Sequence, residues 1–287
     1  MSVSSLRWVV KKAARRAMVI GSWLSGSLSL RRLWANGPRV RVLTYHRFGD
    51  AERDPWCVSA EDFEQQMQWL AAQGLAVSLD DVLAFVRGER RLPDGSVLVT
   101  MDDGFSSVLH IAAPIMRRHG IPSVAYITTG FVGSTSISGE HYLNWDEVAR
   151  LPALGVAVGS HAHSHRSMAQ LSVDDAIDEA RRSKQLLEHH LAAPVLSFAY
   201  PFGMRPDEST ATARLLCDAG YTSVFIAQHG TLRRGVDTAR LPRVKVEGGE
   251  PLWLFKLLCR GGMDAWKLVD DTLWKLQKPA ATERPAS

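Results

Sequence analysis

The chain has little cysteine. Its 287 residues include three, Cys57, Cys217 and Cys259, far apart and without a C-x-x-C pair. That spacing suggests neither a disulfide framework nor a cysteine zinc site, and leaves the three as small apolar residues. No apolar run approaches the roughly 20 residues a membrane-spanning helix needs. No internal repeat is detectable, and no G-x-S-x-G supplies a serine nucleophile. Acidic residues are missing from one end only. Residues 1–40 hold eight cations (Arg7, Lys11, Lys12, Arg15, Arg16, Arg31, Arg32 and Arg39) and no Asp or Glu, so a chain of net charge +4 carries −4 over the remainder. A basic nucleic-acid surface on the main domain is therefore not indicated, and nucleic acid is not an expected partner.

A 46% hydrophobic composition can bury a large core, and one domain of roughly 200 to 250 residues with flanks is the expectation. At the N-terminal flank, fourteen uncharged residues, Ala17 to Leu30, lie between two basic clusters. That is short for a span and suits an interfacial helix drawn to an anionic membrane surface, with a signal segment as the second reading. Residues 1–39 are expected to form this basic amphipathic segment, with peripheral membrane association as the localisation. At the other end, residues 248–278 carry Trp253, Trp266 and Trp274 among lysines. This pattern fits a membrane interface or packing on the domain equally well. Residues 279–287 read as a disordered tail.

Between the flanks, residues 40–247 alternate strand-like and helix-like segments. Strands are expected at "RVRVLTY", "SVLVTM", "SVAYIT", "VAVGS", "VLSFAY", "TSVFIA" and "RLPRVKV". Helices are expected over 60–73, 106–119, 172–191 and 208–219. Glycine follows several helical patterns, and apolar strands follow the glycines, the habit of parallel strands covered on both faces. About seven β/α units favour a distorted (β/α) barrel with helical flanks over an open doubly wound sheet.

In such folds chemistry collects at the carboxyl ends of the strands, and the polar clusters fall there. "VLTYH" ends in His46, "LVTMDDG" in Asp102 and Asp103, "VAVGS" runs into "HAHSH", and "VLSFAY" runs into "PFG". Each alone has a structural explanation, since Asp-Gly marks turns and Asp or Ser caps helices. Four clusters converging on one face point to a site. Histidines at i and i+4, such as His161 and His165, can converge on one ion, with a carboxylate from another strand completing three ligands and leaving positions open for water. The second aspartate is then free to accept a proton. Two histidines and one carboxylate also describe the facial triad of non-haem iron oxygenases, but the spread over several strand ends and the adjacent second aspartate favour hydrolysis.

With these motifs in order, the sequence resembles the NodB-homology polysaccharide deacetylases, carbohydrate esterase family 4. "TMDDG" is similar to the family's T-F-D-D-G, "HAHSH" to its histidine metal motif, and "FAYPFG" to a variant of its R-x-x-P-Y motif. Over residues 40–247 the resemblance implies a (β/α)7 barrel and a metal-dependent N-deacetylase. The implied substrate is an acetylated amino-sugar glycan or glycolipid, and the implied cofactor one divalent ion, zinc first. It also implies Asp102 as the base, Asp103, His161 and His165 as metal ligands, and Tyr200 and Phe202 as substrate or oxyanion contacts. His163 receives no family role. The family's third motif usually holds an arginine that steadies the base, and "FAYPFG" has none. Arg243, near the end of the last strand, is our candidate replacement, because a guanidinium grips a carboxylate in bidentate fashion. The family's usual acid-bearing segment is absent after residue 247, and "VLTYH" opens the domain instead. This resembles the circularly permuted exopolysaccharide branch and makes His46 the general acid, with His229 as fallback. A catalytically impaired glycan-binding or membrane-assembly protein is the alternative.

Overall fold

A computed structural model describes residues 5–24, 37–50 and 54–273. Among these, seven parallel strands form one curled sheet: β1 (Arg41–Tyr45), β2 (Val97–Met101), β3 (Ser123–Ile127), β4 (Val156–Ser160), β5 (Ser197–Ala199), β6 (Ser223–Phe225) and β7 (Val244–Lys245), in the order β6-β5-β4-β3-β2-β1-β7. Each lies within a segment whose apolar, β-branched composition predicts a strand. The curl closes through the last segment. Leu241 bridges Phe225 in parallel, while three residues on Val244 pairs with Leu43, so one stretch of chain joins β6 to β1. This is the distorted (β/α)7 barrel expected from the sequence rather than an open sheet.

Strand periodicity sorts the side chains into two layers. Leu43, Tyr45, Val97, Val99 and Met101 face the helices, packing with Phe63, Met67, Leu70 and Leu187. Val42, Leu98, Val124, Tyr126, Ala199, Phe225 and Leu241 form the second cluster, the barrel interior. The inward phase of β2 continues through Thr100 to Asp102, that of β1 through Thr44 to His46, and that of β4 through Gly159 to His161.

The helices form where local chemistry allows. α1 spans Ser5–Leu24, and α2 (Ala60–Gln73) starts at Ser59, which accepts the Asp62 amide, and ends at left-handed Gly74. α3 (Leu79–Val86) opens on a reciprocal Ser78–Asp81 capping box; the sequence reading passed over it, although Ser-x-x-Asp carries the signal. After β2 a π-type turn over Val108–Ala112 runs into α4 (Ala113–His119). α5 (Trp145–Arg150) precedes β4, and α6 (Val173–Leu191), capped by Ser172, follows it. α7 (Thr210–Asp218), α8 (Leu252–Cys259) and α9 (Trp266–Leu273) complete the set.

The N-terminal flank is attached to the barrel by charge. Lys12 and Arg15 of α1 are buried. Arg15 donates to Glu250 at 2.8 Å and to the Lys245 carbonyl at 2.9 Å, and Lys12 donates to the Gly248 carbonyl at 2.6 Å with Glu247 at 3.5 Å. The segment expected to present its cations outward thus turns two of them inward, because Glu247 and Glu250 sit in a wall that needs compensation. Val9, Ile20, Trp23 and Leu24 are left on the outer side. No helix among the described residues is long and apolar enough to cross a membrane. Of the C-terminal tryptophans, Trp266 packs on the core and Trp253 is exposed. Trp274, the tail over 279–287 and the part of the N-terminal apolar window beyond residue 24 lie outside the described residues.

Candidate active site

Strand register assembles the site. Tyr45 is level with Met101, and the Asp102 amide donates to the Tyr45 carbonyl at 3.0 Å, so His46 and the Asp102–Asp103 pair emerge side by side. Ile127 is level with Ser160, which delivers His161 to the same end, and Ser160 pairs with Phe198 in turn.

Asp102 is buried and gripped by Arg243, whose two terminal nitrogens each lie 2.7 Å from one carboxylate oxygen. Arg243 is itself enclosed, with its guanidinium over the Tyr126 ring and a long bond to Thr100 Oγ1. Burial alone would push the Asp102 carboxyl up. The Arg243 guanidinium, together with His161 and His46, brings it below its ordinary value, so it is a carboxylate at neutral pH.

Asp103 points the other way. Its Oδ1 lies 3.4 Å from His161 Nε2 and 3.3 Å from His165 Nε2, while His161 Nε2 is 4.0 Å from Asp102 Oδ2. Ligand atoms of Asp103, His161 and His165 all fall within 4.8 Å of one another. Burial raises the Asp103 carboxyl, and the His161 and His165 imidazoles beside it overturn that and hold it well below the carboxylate range. Two observations fit this trio to a cation. Asp103 Oδ1 is enclosed without a hydrogen-bond partner. His161 Nδ1 donates to the Ala199 carbonyl at 2.7 Å, which fixes its tautomer and leaves Nε2 with a lone pair toward Asp103.

The backbone is forced here. Of five non-glycine residues with positive φ among the described residues, four are at the site: Asp103 (72°), Ala162 (62°), His165 (55°) and Phe202 (60°). Such conformations cost about 1–2 kcal/mol each, and they persist because neighbours over-determine them. The "HAHSH" loop is held from one side by the chain after β3, where Thr129 and Gly130 donate to the Ala162 and His163 carbonyls. A Cβ at Gly130 would meet the His163 oxygen at 2.5 Å. His163 bonds Thr129 through Nδ1 at 2.9 Å. From the other side Glu179 of α6 accepts the His163 and Ser164 amides at 2.8 and 2.7 Å, and the Ser164 hydroxyl as well. The sequence reading missed Glu179, although a glutamate on the inward stripe Ala176, Ala180, Ser183, Leu187 is the available signal, since buried glutamates are seldom unpaired.

His46 is partly buried with its Nδ1 enclosed, its ring 4.5 Å from that of Trp56. Burial lowers its pKa to about 4, against the opposing pull of the Asp103 and Asp102 charges. His229, the alternative acid, is engaged elsewhere: its Nδ1 lies 3.0 Å from Asp270 of α9 and its ring packs near Trp266.

Tyr200 departs from expectation. It is 1% exposed, its amide donates to the Phe225 carbonyl, and its hydroxyl lies 3.1 Å from Thr212 Oγ1. Residues 198 and 200 share the helix-facing phase of their strand, so Tyr200 is a core residue with no surface for a substrate. Phe202, past the strand end, does reach the site, with its ring 4.7 Å from that of His165.

A curled (β/α) barrel with an arginine-paired carboxylate beside two histidines and a second carboxylate fits the carbohydrate deacetylase class of hydrolases. The family described as polysaccharide deacetylase matches residues 89–224. A poly-beta-1,6-N-acetyl-D-glucosamine N-deacetylase of Staphylococcus epidermidis is 21% identical over 208 residues, covering 69% of this chain and 71% of that protein. Among solved structures, IcaB from Ammonifex degensii is 27% identical with a TM-score of 0.68, covering 79% of this chain and 97% of that one. The Streptococcus pyogenes deacetylase PplD shares the fold at 19% identity and a TM-score of 0.68. Over these residues the chain is similar to the polysaccharide deacetylases.

Proposed function

We propose that the protein is a metal-dependent N-deacetylase that hydrolyses the acetamido groups of amino sugars in a polysaccharide. The observation that carries this reading is the back-to-back pair: Asp103 faces His161 and His165, and Asp102 is held ionised by Arg243. Asp103, His161 and His165 would hold one divalent cation, zinc first for a site of two imidazoles and one carboxylate. When bound, the ion supplies Lewis acidity and a water of lowered pKa.

The remaining steps fall to the protein's own groups. Asp102 accepts the proton of the attacking water, and Arg243 orients its carboxylate and keeps it charged until then. The backbone turn at Phe202 is the candidate donor to the oxyanion of the tetrahedral intermediate. His46 delivers a proton to the departing nitrogen, which amide hydrolysis needs because an amine anion is a poor leaving group. His46 is neutral at rest, so it takes up the proton it donates from solvent as negative charge develops beside it, and Asp102 returns its proton to solvent when the products leave.

The names of the relatives at 21–22% identity make a β-1,6-linked N-acetylglucosamine polymer the first substrate to test, with a lipid-linked glycan second. Zinc-reconstituted and metal-stripped protein should be incubated with each and assayed for acetate. Release that needs the ion and is lost in Asp102→Asn supports the reading; equal release from stripped protein overturns the metal role. The outward side chains Ile20, Trp23 and Leu24 of α1 support peripheral contact with a membrane surface as the location.

A further inference from the structure

We propose that Glu179 is a positioning residue, the brace that holds the loop after β4 in the shape that lets His165 meet His161 and Asp103. The proposal rests on the reading of those three as metal ligands, and it assigns to a residue of α6 the job of preorganising one of them.

His161 needs no such brace. It continues β4, its amide donates to the Ile127 carbonyl at 2.9 Å, and its ring is tied to the Ala199 carbonyl. His165 is four residues beyond the strand, and the chain reaches it through left-handed turns at Ala162 and at His165 itself. Non-glycine residues avoid that region, so the loop relaxes to another path unless something fixes it. Glu179 is 5% exposed, and its carboxylate spans the middle of the loop, taking the amides of His163 and Ser164 on Oε2 and the Ser164 hydroxyl on Oε1. Consecutive amides aimed at one charged oxygen give charge-assisted bonds, the stronger class. One turn along the same helix face, Ser183 Oγ lies 2.7 Å from Ser160 Oγ, which accepts the Ala162 amide. α6 thus fixes the start and the middle of the loop with two inward polar residues, and Gly130 closes the far side.

The chemistry implies a selective effect. A glutamine can offer its one carbonyl oxygen to both amides, whereas an aspartate falls one methylene short and an alanine leaves two enclosed N–H groups without acceptors. Metal-stripped full-length protein should be titrated with Zn2+ in competition with a chromophoric chelator. Glu179→Ala should weaken zinc binding about 10- to 100-fold, the range for residues that orient metal ligands, and Glu179→Gln should stay within about threefold. In a His165→Ala background Glu179→Ala should add less than about threefold, because the ligand it positions is already gone. Should Glu179→Ala fail to fold, Glu179→Asp keeps the charge and should weaken binding at least about tenfold. Near-wild-type binding in the truncated variant, or a further large loss in the His165→Ala background, overturns the proposal. Wild-type protein that binds no zinc overturns the metal reading itself, so the two failures are distinguishable.

Discussion

The guanidinium of Arg243 meets both oxygens of Asp102 at 2.7 Å inside the barrel, across 141 residues of sequence. The pair fixes the orientation of the carboxylate and its charge together. A lysine at 243 keeps a positive charge but gives up the fork geometry. We expect Arg243→Lys to lower kcat about 10²-fold with zinc affinity unchanged, since a misoriented base costs rate rather than binding. Arg243→Met leaves a buried carboxylate unpaired and should cost about 3–5 kcal/mol of stability, read by denaturant unfolding.

Adjacent carboxylates with different neighbours should fail differently. Asp103→Ala and His161→Ala each remove a ligand and should retain no zinc through dialysis, whereas Asp102→Asn should retain zinc and lose nearly all turnover. Elemental analysis after dialysis checks the first and acetate release the second. Zinc retained in Asp103→Ala but lost in Asp102→Asn would reverse the assignment.

His46 gives a pH signature. Its pKa in the folded chain, about 4, lies below the ordinary 6.5. As pH falls below about 6.5 the unfolded chain takes up a proton that the folded chain refuses, so stability is full above that value and declines toward pH 4. We expect the His46 ring signal to stay that of neutral imidazole at pH 5.5 in metal-free protein. The loss of stability from pH 7 to 5 should be shallower in His46→Gln. In catalysis the same variant should lower kcat for an acetamido substrate by about 10²- to 10⁴-fold and spare an activated aryl acetate, whose leaving group needs no proton. Equal losses on both would make His46 structural.

The N-terminal helix should be part of the folded unit. Arg15 and Glu250 are both buried and meet at 2.8 Å. Removing Arg15 leaves Glu250 with the longer contact to Lys12 at 3.9 Å, so Arg15→Met should cost about 3–5 kcal/mol, while adding Glu250→Gln should return part of that loss. Deleting residues 1–38 should lower Tm and promote aggregation. An unchanged Tm after deletion would make the helix dispensable.

What could be read in advance followed locality. Strand ends, helix periods and the Asp and His motifs are written in consecutive residues, so the seven strands and the cluster of site residues were legible. Arg243 could be nominated because a lost arginine implies a replacement near a strand end. Motif order points to Tyr200, but strand phase decides its place: two residues after helix-facing Phe198 it faces the helices too. Glu179 and the Arg15–Glu250 pair depend on contacts 15 or more residues apart, which no local pattern encodes. The positive charge of the first 40 residues was a property of composition, and its direction depended on where the fold placed Glu247 and Glu250.

That direction changes what is expected at a membrane. With Lys12 and Arg15 neutralised inside, the exposed side chains described on α1 are mainly apolar, Trp23 at 59% and Leu24 at 69% exposure among them, beside Arg16. Tryptophan and leucine favour the interfacial region of a bilayer, whereas attraction by the remaining cations is screened within about 8 Å at physiological salt. Binding to vesicles should therefore persist from 50 to 500 mM NaCl and depend on the apolar face. The triple variant Ile20→Ser, Trp23→Ser, Leu24→Ser should fall at least about tenfold in partitioning to vesicles of mixed neutral and anionic lipid, since each large apolar side chain contributes on the order of 1 kcal/mol or more at an interface. Its Tm should match wild type, because none of the three is buried. Binding that vanishes at high salt and ignores the triple variant would return the role to the cations, and no binding at any salt would remove the membrane from the account.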